Sequence, residues 1–215
     1  MINYTIQLNN NEFKNSIEKI LNTNRIDEIV ETGTFHGDGS TKIFAETKKY
    51  VFSIECNYEN WAISTNNLFK YPNVCVIHGL SLNREEIIKG LLNENFDIDT
   101  TYDSDYPKSF YMREISQRVV LENALDVFSK NDRNQLIFLD SAGGVGLLEF
   151  KSVMSYNVEF LKNKVIMLDD ISHIKHYRSV KFLQENGFNV NISTDNRFAW
   201  CSFQEEHNQK LLNQL

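Results

Sequence analysis

Proline, cysteine and glycine are all scarce in this 215-residue chain, and each scarcity excludes something. The two prolines, Pro72 and Pro107, enforce few breaks, so the glycine clusters carry most of the punctuation. The three cysteines, Cys56, Cys75 and Cys201, are far apart and form no CxxC pair. That argues against a disulfide framework or a cysteine zinc site and fits a reducing compartment. No window approaches eighteen uninterrupted apolar residues, and the opening Met-Ile-Asn-Tyr has no basic flank. Neither a membrane span nor a secretion signal is expected, and the location is read as cytoplasmic. Basic charge is also in deficit, with 22 Lys+Arg against 29 Asp+Glu and a net charge of −7. This is not the balance of a protein that grips nucleic acid through a broad basic face.

What remains, 41% hydrophobic and 24% charged residues, is the composition of an ordinary globular protein long enough for one α/β domain over residues 1–215. Short apolar runs alternate with amphipathic stretches. Strand-length runs are read at Ile26 to Glu31, Tyr50 to Glu55, Asn73 to His78, Gln135 to Asp140 and Lys164 to Asp170. Helical patterns cover Glu12 to Leu21 (a helix over about 10–25), Ser40 to Thr47, Glu59 to Phe69, Ile115 to Phe128, Leu147 to Leu161 and His176 to Asn186. Such alternation implies a mostly parallel sheet with helices on both faces. Phe188 to Ser193 and Phe198 to Phe203, separated by Thr-Asp-Asn-Arg, should form an antiparallel hairpin at one edge. The stretch 92–111 lacks periodicity, is acidic and aromatic, and is read as a loop insertion that either is solvated or covers a substrate site.

In an open parallel sheet, ligands bind beyond the carboxyl ends of the strands. At the first such end stands Glu31-Thr-Gly33-Thr-Phe-His-Gly37-Asp38-Gly39-Ser40, a glycine turn between a strand and a helix. Its G-x-x-x-G-x-G spacing differs from the dinucleotide fingerprint and from a phosphate loop. A pyrophosphate is disfavoured between Glu31 and Asp38, whereas a cationic or zwitterionic ligand suits them. Glu55, at the second strand's tip, is placed to accept hydrogen bonds from two ribose hydroxyls.

With these residues the sequence resembles the class I S-adenosylmethionine-dependent methyltransferases: E-T-G-T-F-H-G-D-G-S at 31–40, S-I-E at 53–55 and I-H-G-L-S at 77–81. The resemblance runs from about Ile26 to Phe203. It implies a Rossmann-like seven-stranded sheet with a reversed C-terminal strand. It further implies S-adenosylmethionine as cofactor, held by Glu31, Gly33, Thr34, Phe35, Gly37, Ser40, Glu55, Gly79, Leu80, Ser81 and Asp140. His36 and Trp61 could also touch the nucleoside, Trp61 being the better core candidate.

The fourth and fifth strands end in Asp140 and in Asp169-Asp170. Adjacent strands lie about 4.8 Å apart, so these carboxylates should converge, at a cost unless a proton or a cation intervenes. Oxygen-only ligands suit Mg²⁺, and the spacing resembles the metal triad of the metal-dependent O-methyltransferases, of the catechol type and of the macrolide and aminocoumarin sugar type. That implies a divalent ion, Mg²⁺ before others, activating an acceptor hydroxyl. The alternative is an acid in a metal-free site, with Asp170 capping the next helix. The lysine that the catechol type carries after its first aspartate is absent, since Ser141 to Gly144 stand there. His173 is therefore the candidate base alongside Asp140, His176 the next choice, and Lys175 and Arg178 candidates for binding an anionic acceptor.

The resulting expectation is methyl transfer to a hydroxyl of a small metabolite or sugar, with no nucleic-acid or membrane partner. A monomer or homodimer is left open. The competing readings are a non-catalytic nucleoside-binding domain and, disfavoured by the glycine spacing, a nicotinamide-dependent oxidoreductase.

Overall fold

A computed structural model describes residues 10–93 and 108–214. Most of the expected loop insertion at 92–111 therefore lies outside the described residues, and its two ends belong to helices. Seven strands, β1 (Glu28–Thr32), β2 (Tyr50–Glu55), β3 (Val74–His78), β4 (Gln135–Leu139), β5 (Lys164–Asp169), β6 (Asn191–Ile192) and β7 (Phe198–Ser202), form one sheet in the order β3-β2-β1-β4-β5-β7-β6. The first five are mutually parallel, while β7 runs antiparallel between β5 and β6. The expected hairpin thus forms, but its second strand is inserted against β5 and its first is reduced to two residues at the sheet edge. Phe188 instead packs edge-on against Phe203 at 5.3 Å, which draws the start of that run out of the ladder.

Strand alternation sends side chains into two cores. Ile29, Val51, Leu136, Phe138, Val165, Met167 and Trp200 face one side. There they meet Phe13, Ile17 and Ile20, spaced one helical turn apart on α1 (Asn10–Thr23), and Ile43 and Phe44 of α2 (Ser40–Glu46). Val30, Ile54, Ile137, Leu139, Ile166 and Leu168 face the other. They are covered by α4 (Arg84–Asn93), α6 (Ala124–Ser129), α7 (Gly144–Met154) and α9 (Tyr177–Glu185). The remaining helices are α3 (Tyr58–Leu68), α5 (Lys108–Ser116), α8 (Val158–Leu161) and α10 (Glu206–Leu212). Helices on both faces of a mostly parallel sheet is the architecture expected.

Two expected helices are interrupted. The pattern over Ile115 to Phe128 is split, because residues 118–121 pair with the extension of β3: Val120 N donates to His78 O at 3.1 Å and Leu80 N to Leu121 O at 2.9 Å. The run Val119-Val120-Leu121 is apolar and its two valines are β-branched, so an open sheet edge outcompetes helix there. The stretch Leu147 to Leu161 is broken at Asn157, whose side chain restarts the chain as the N-cap of α8.

Candidate functional site

The strand order reverses between β1 and β4, and their carboxyl ends diverge into loops at one edge of a cavity of about 280 Å³. The chain turns away from β1 through Gly33, at φ 81°, where an added Cβ would stand 2.6 Å from the Asp140 carbonyl oxygen. Only glycine allows the two loops to lie this close. The cavity is lined by Gly33, Phe35, Glu55, Gly79, Leu80, Ser81 and Asp140, all anticipated from sequence.

Glu55 is 6% exposed. Each of its oxygens accepts one backbone N–H, Oε1 from Asn57 and Oε2 from Phe35, both at 2.8 Å. These donors fix the carboxylate and leave further lone pairs for a ligand. Burial dominates and pushes its pKa up to about 7, with the charge of Glu114 adding to the rise.

Four of the expected cofactor residues support the loop from behind instead of lining the cavity. Glu31 is fully buried, accepts from Ser40 Oγ and from Ser53 Oγ (2.6 Å), and is pushed above its usual range by desolvation. Thr34 shares a 2.6 Å hydrogen bond with the same Ser53, so Glu31, Thr34, Ser40 and Ser53 form one buried clasp. Gly37 presses on α3, where its missing Cβ would meet Leu68 Cδ1 at 2.6 Å. Reading the acid at the head of the glycine turn as a ligand contact overlooked that three hydroxyl residues surround it in sequence or across one strand. Trp61 packs on β3, donating to Val76 O at 3.2 Å, while His36 stacks on Phe35 at 3.9 Å.

Other residues at the cavity were not anticipated. Tyr111, Glu114 and Ile115 lie at i, i+3 and i+4 on α5 and present one face to the cavity. That spacing is present in the sequence, but it straddles the boundary between the irregular stretch 92–111 and the helical pattern that starts at Ile115. Cys56 also lines the cavity, and its thiol is pushed up to about 12, chiefly by burial. Behind the wall, fully buried Glu149 of α7 accepts from Thr32 Oγ1 (2.9 Å) and Ser141 Oγ (2.6 Å), tying the β1 and β4 tips to one helix. A lone acid within the apolar run Val145 to Phe150 was its only signal.

The three aspartates do converge: one carboxylate oxygen from each of Asp140, Asp169 and Asp170 lies within 4.8 Å of the others. Their oxygens already face cations of the chain. Lys175 Nζ stands 2.5 Å from Asp140 Oδ1, 3.1 Å from Asp170 Oδ2 and 3.8 Å from Asp169 Oδ2. Arg197 forms a fork on Asp169, with both contacts at 3.1 Å, and its Nε is 2.9 Å from Asp170 Oδ1. Asp169 is held below the usual carboxylate range by Lys175 and Arg197 against the opposing effect of burial. Asp140 is pushed well up by burial and by the neighbouring acids, with Lys175 opposing.

This changes the assignment of the nearby bases. Lys175 is 4% exposed and engaged with the acids, so it is not a surface cation for an acceptor. His176 is fully buried, with Nε2 3.0 Å from Leu139 O and Nδ1 3.2 Å from Ser179 Oγ. Desolvation, with the charge of Lys175, lowers its pKa to about 3, and a neutral packing imidazole is not an acceptor contact. His173 does not line the cavity, and its Nδ1 lies 3.3 Å from the Lys175 backbone N. Arg178 Nε donates to Tyr177 Oη at 2.8 Å.

Comparison with solved structures gives the fold a counterpart. The precorrin-6y C5,15-methyltransferase of Geobacter metallireducens GS-15 superposes with a TM-score of 0.50 at 14% identity, over 94% of each chain. This chain has the class I methyltransferase fold. The precorrin-8w decarboxylase of Methanobacterium thermoautotrophicum is similar over 89% of each chain, at 15% identity and a TM-score of 0.45. No protein-family model and no curated protein matches the sequence. Within this fold, the cavity lies at the strand-order reversal, and no helix among the described residues is long and apolar enough to cross a membrane.

Proposed function

We propose that this protein is an S-adenosylmethionine-dependent methyltransferase acting on a hydroxyl of a small metabolite or sugar. The observation that carries the reading is Glu55: a buried carboxylate at the tip of β2, braced by two backbone amides, in the lining of a cavity at the sheet's switch point. Its spare lone pairs suit the two hydroxyls of a ribose, and the approach permitted by Gly33 leaves backbone where a Cβ would intrude. Bound there, the cofactor supplies an electrophilic methyl group on a sulfonium.

The chain's own part is positional and acid–base. Glu55 orients the nucleoside, Gly79 to Ser81 form the adenine-side wall, and α5 closes the cavity through Tyr111, Glu114 and Ile115. Asp140 lies on the cavity wall with 21% of its side chain exposed. Burial raises its proton affinity, so we assign it the proton of the acceptor hydroxyl. The small-molecule acceptor and a reducing, cytoplasmic setting are part of the same proposal, the latter consistent with three unpaired cysteines.

Calorimetry with S-adenosylhomocysteine tests the binding half. One site per chain is expected, and it should be lost in Glu55→Ala. Retained affinity in that variant would remove the nucleoside assignment. A second reading, a nucleoside-binding domain without turnover, is favoured by one observation: neither His173 nor His176 lines the cavity. Transfer of a labelled methyl group to any member of a panel of sugars and hydroxylated metabolites would eliminate it.

A further inference from the structure

The convergence of Asp140, Asp169 and Asp170 resembles a divalent-metal site in its acids alone. The space between those acids is already taken. We propose that Lys175 is the resident cation of this cluster, its Nζ standing where a divalent ion would have to bind, so that the protein needs no metal there.

Three observations support this. First, Lys175 Nζ lies within 4 Å of all three carboxylates, and Asp140 Oδ1, at 2.5 Å, is its nearest partner. Mg²⁺ and Mn²⁺ require oxygens at about 2.0–2.2 Å around a common centre. The ammonium and such an ion cannot share that centre. Second, the side chain is not a mobile surface lysine. It is 5% exposed, and its stem passes Gly146 of α7, where a Cβ would stand 2.6 Å from Lys175 Cγ. Third, the charges nearly balance without an ion. Three carboxylates face Lys175 and Arg197, and the fork of Arg197 occupies both oxygens of Asp169. A divalent ion added beside two retained cations would meet strong repulsion in a poorly solvated setting. Arg178 and Lys181 on the following helix are not part of this set.

The inference concerns the cation of the cluster and stands apart from the methyl-transfer reading, because its test reads metal binding directly. The full-length protein is titrated with Mn²⁺ while free ion is followed by electron paramagnetic resonance. Wild type should bind no stoichiometric Mn²⁺ at millimolar ion. Lys175→Ala, which removes the charge and opens the space, should bind one Mn²⁺ per chain at least about a hundredfold more tightly than wild type. That site should vanish when Asp170→Asn is added. Its melting temperature should also rise with Mn²⁺ but not with K⁺ at equal ionic strength. Should Lys175→Ala not fold, Lys175→Gln, which keeps an amide donor toward the acids, carries the same titration. One Mn²⁺ per wild-type chain that is lost in Asp140→Asn would overturn the proposal. So would a neutral variant that folds and gains no site, since the lysine would then not be what excludes the ion.

Discussion

The protonation of Glu55 should govern cofactor affinity across neutral pH. With its pKa at about 7, the carboxylate is about nine-tenths ionised at pH 8, half at pH 7 and one-tenth at pH 6. If ribose hydroxyls donate to it, the ionised form is the competent one, and apparent affinity scales with that fraction. The dissociation constant of S-adenosylhomocysteine should therefore be about tenfold weaker at pH 6 than at its alkaline plateau, and about twofold weaker at pH 7. The sign for the unliganded protein is opposite. A carboxyl raised from 4.5 to about 7 contributes stability that is present below the unfolded value and lost as pH rises through 7. The loss is about 3 kcal/mol for a group this buried. Calorimetry between pH 5.5 and 8.5 reads the first quantity and urea unfolding between pH 4 and 8.5 the second. Glu55→Gln offers one acceptor oxygen and no titration, so it should bind weakly with a flat profile. A flat wild-type profile, or an unchanged slope in Glu55→Gln, would refute the assignment of Glu55 as the nucleoside-facing acid.

Three further outcomes test the framework around the site. Phe13→Ala removes the side chain that links α1 to Phe44, Phe138 and Phe198, and should cost about 3–5 kcal/mol in urea unfolding while leaving cofactor affinity in the folded fraction unchanged. Gly33→Ala forces a Cβ against the Asp140 carbonyl at a positive φ; a loss of about 1–3 kcal/mol and of S-adenosylhomocysteine binding is expected, and normal binding would show that the loop yields. Of the three thiols, Cys75 alone is exposed and should react quickly with a thiol reagent, half-buried Cys56 on the cavity wall, its thiol pushed up to about 12, should react slowly, and buried Cys201 should react only on unfolding. Fast labelling of two thiols in native protein would contradict this burial.

The parallel strands were legible because each is a short apolar run ending at a polar tip, and β1 to β5 fall within two residues of where that pattern places them. The split of 115–128 was hidden, because its cause is a partner edge from β3 that no local periodicity reports. The same distinction separates the two halves of the site. That Gly33, Glu55 and Asp140 line the cavity was legible because strand tips are positions the chain order defines. Glu31 stands at such a tip too, but its burial against the protein depends on Ser53 arriving from the neighbouring strand at 2.6 Å, which no local pattern reports. Glu149 was missed because a buried acid on a helix looks like any exposed one until Thr32 and Ser141 are seen to satisfy it.

The charge deficit of the sequence also takes on a structural meaning. Acids are concentrated at the carboxyl end of the sheet, and each is neutralised in a different way. Glu31 and Glu149 are met by hydroxyls, and burial favours their protonated forms. Asp169 and Asp170 are met by Arg197 and Lys175. Glu55 retains backbone donors only, and Asp140 shares Lys175 with two other acids, so of these acids they are the two left to line the cavity. A ligand with a cationic centre flanked by hydrogen-bond donors fits that distribution, whereas a pyrophosphate would add charge of the sign already in excess. The nicotinamide alternative is therefore disfavoured by the electrostatics of the folded site as well as by the glycine spacing.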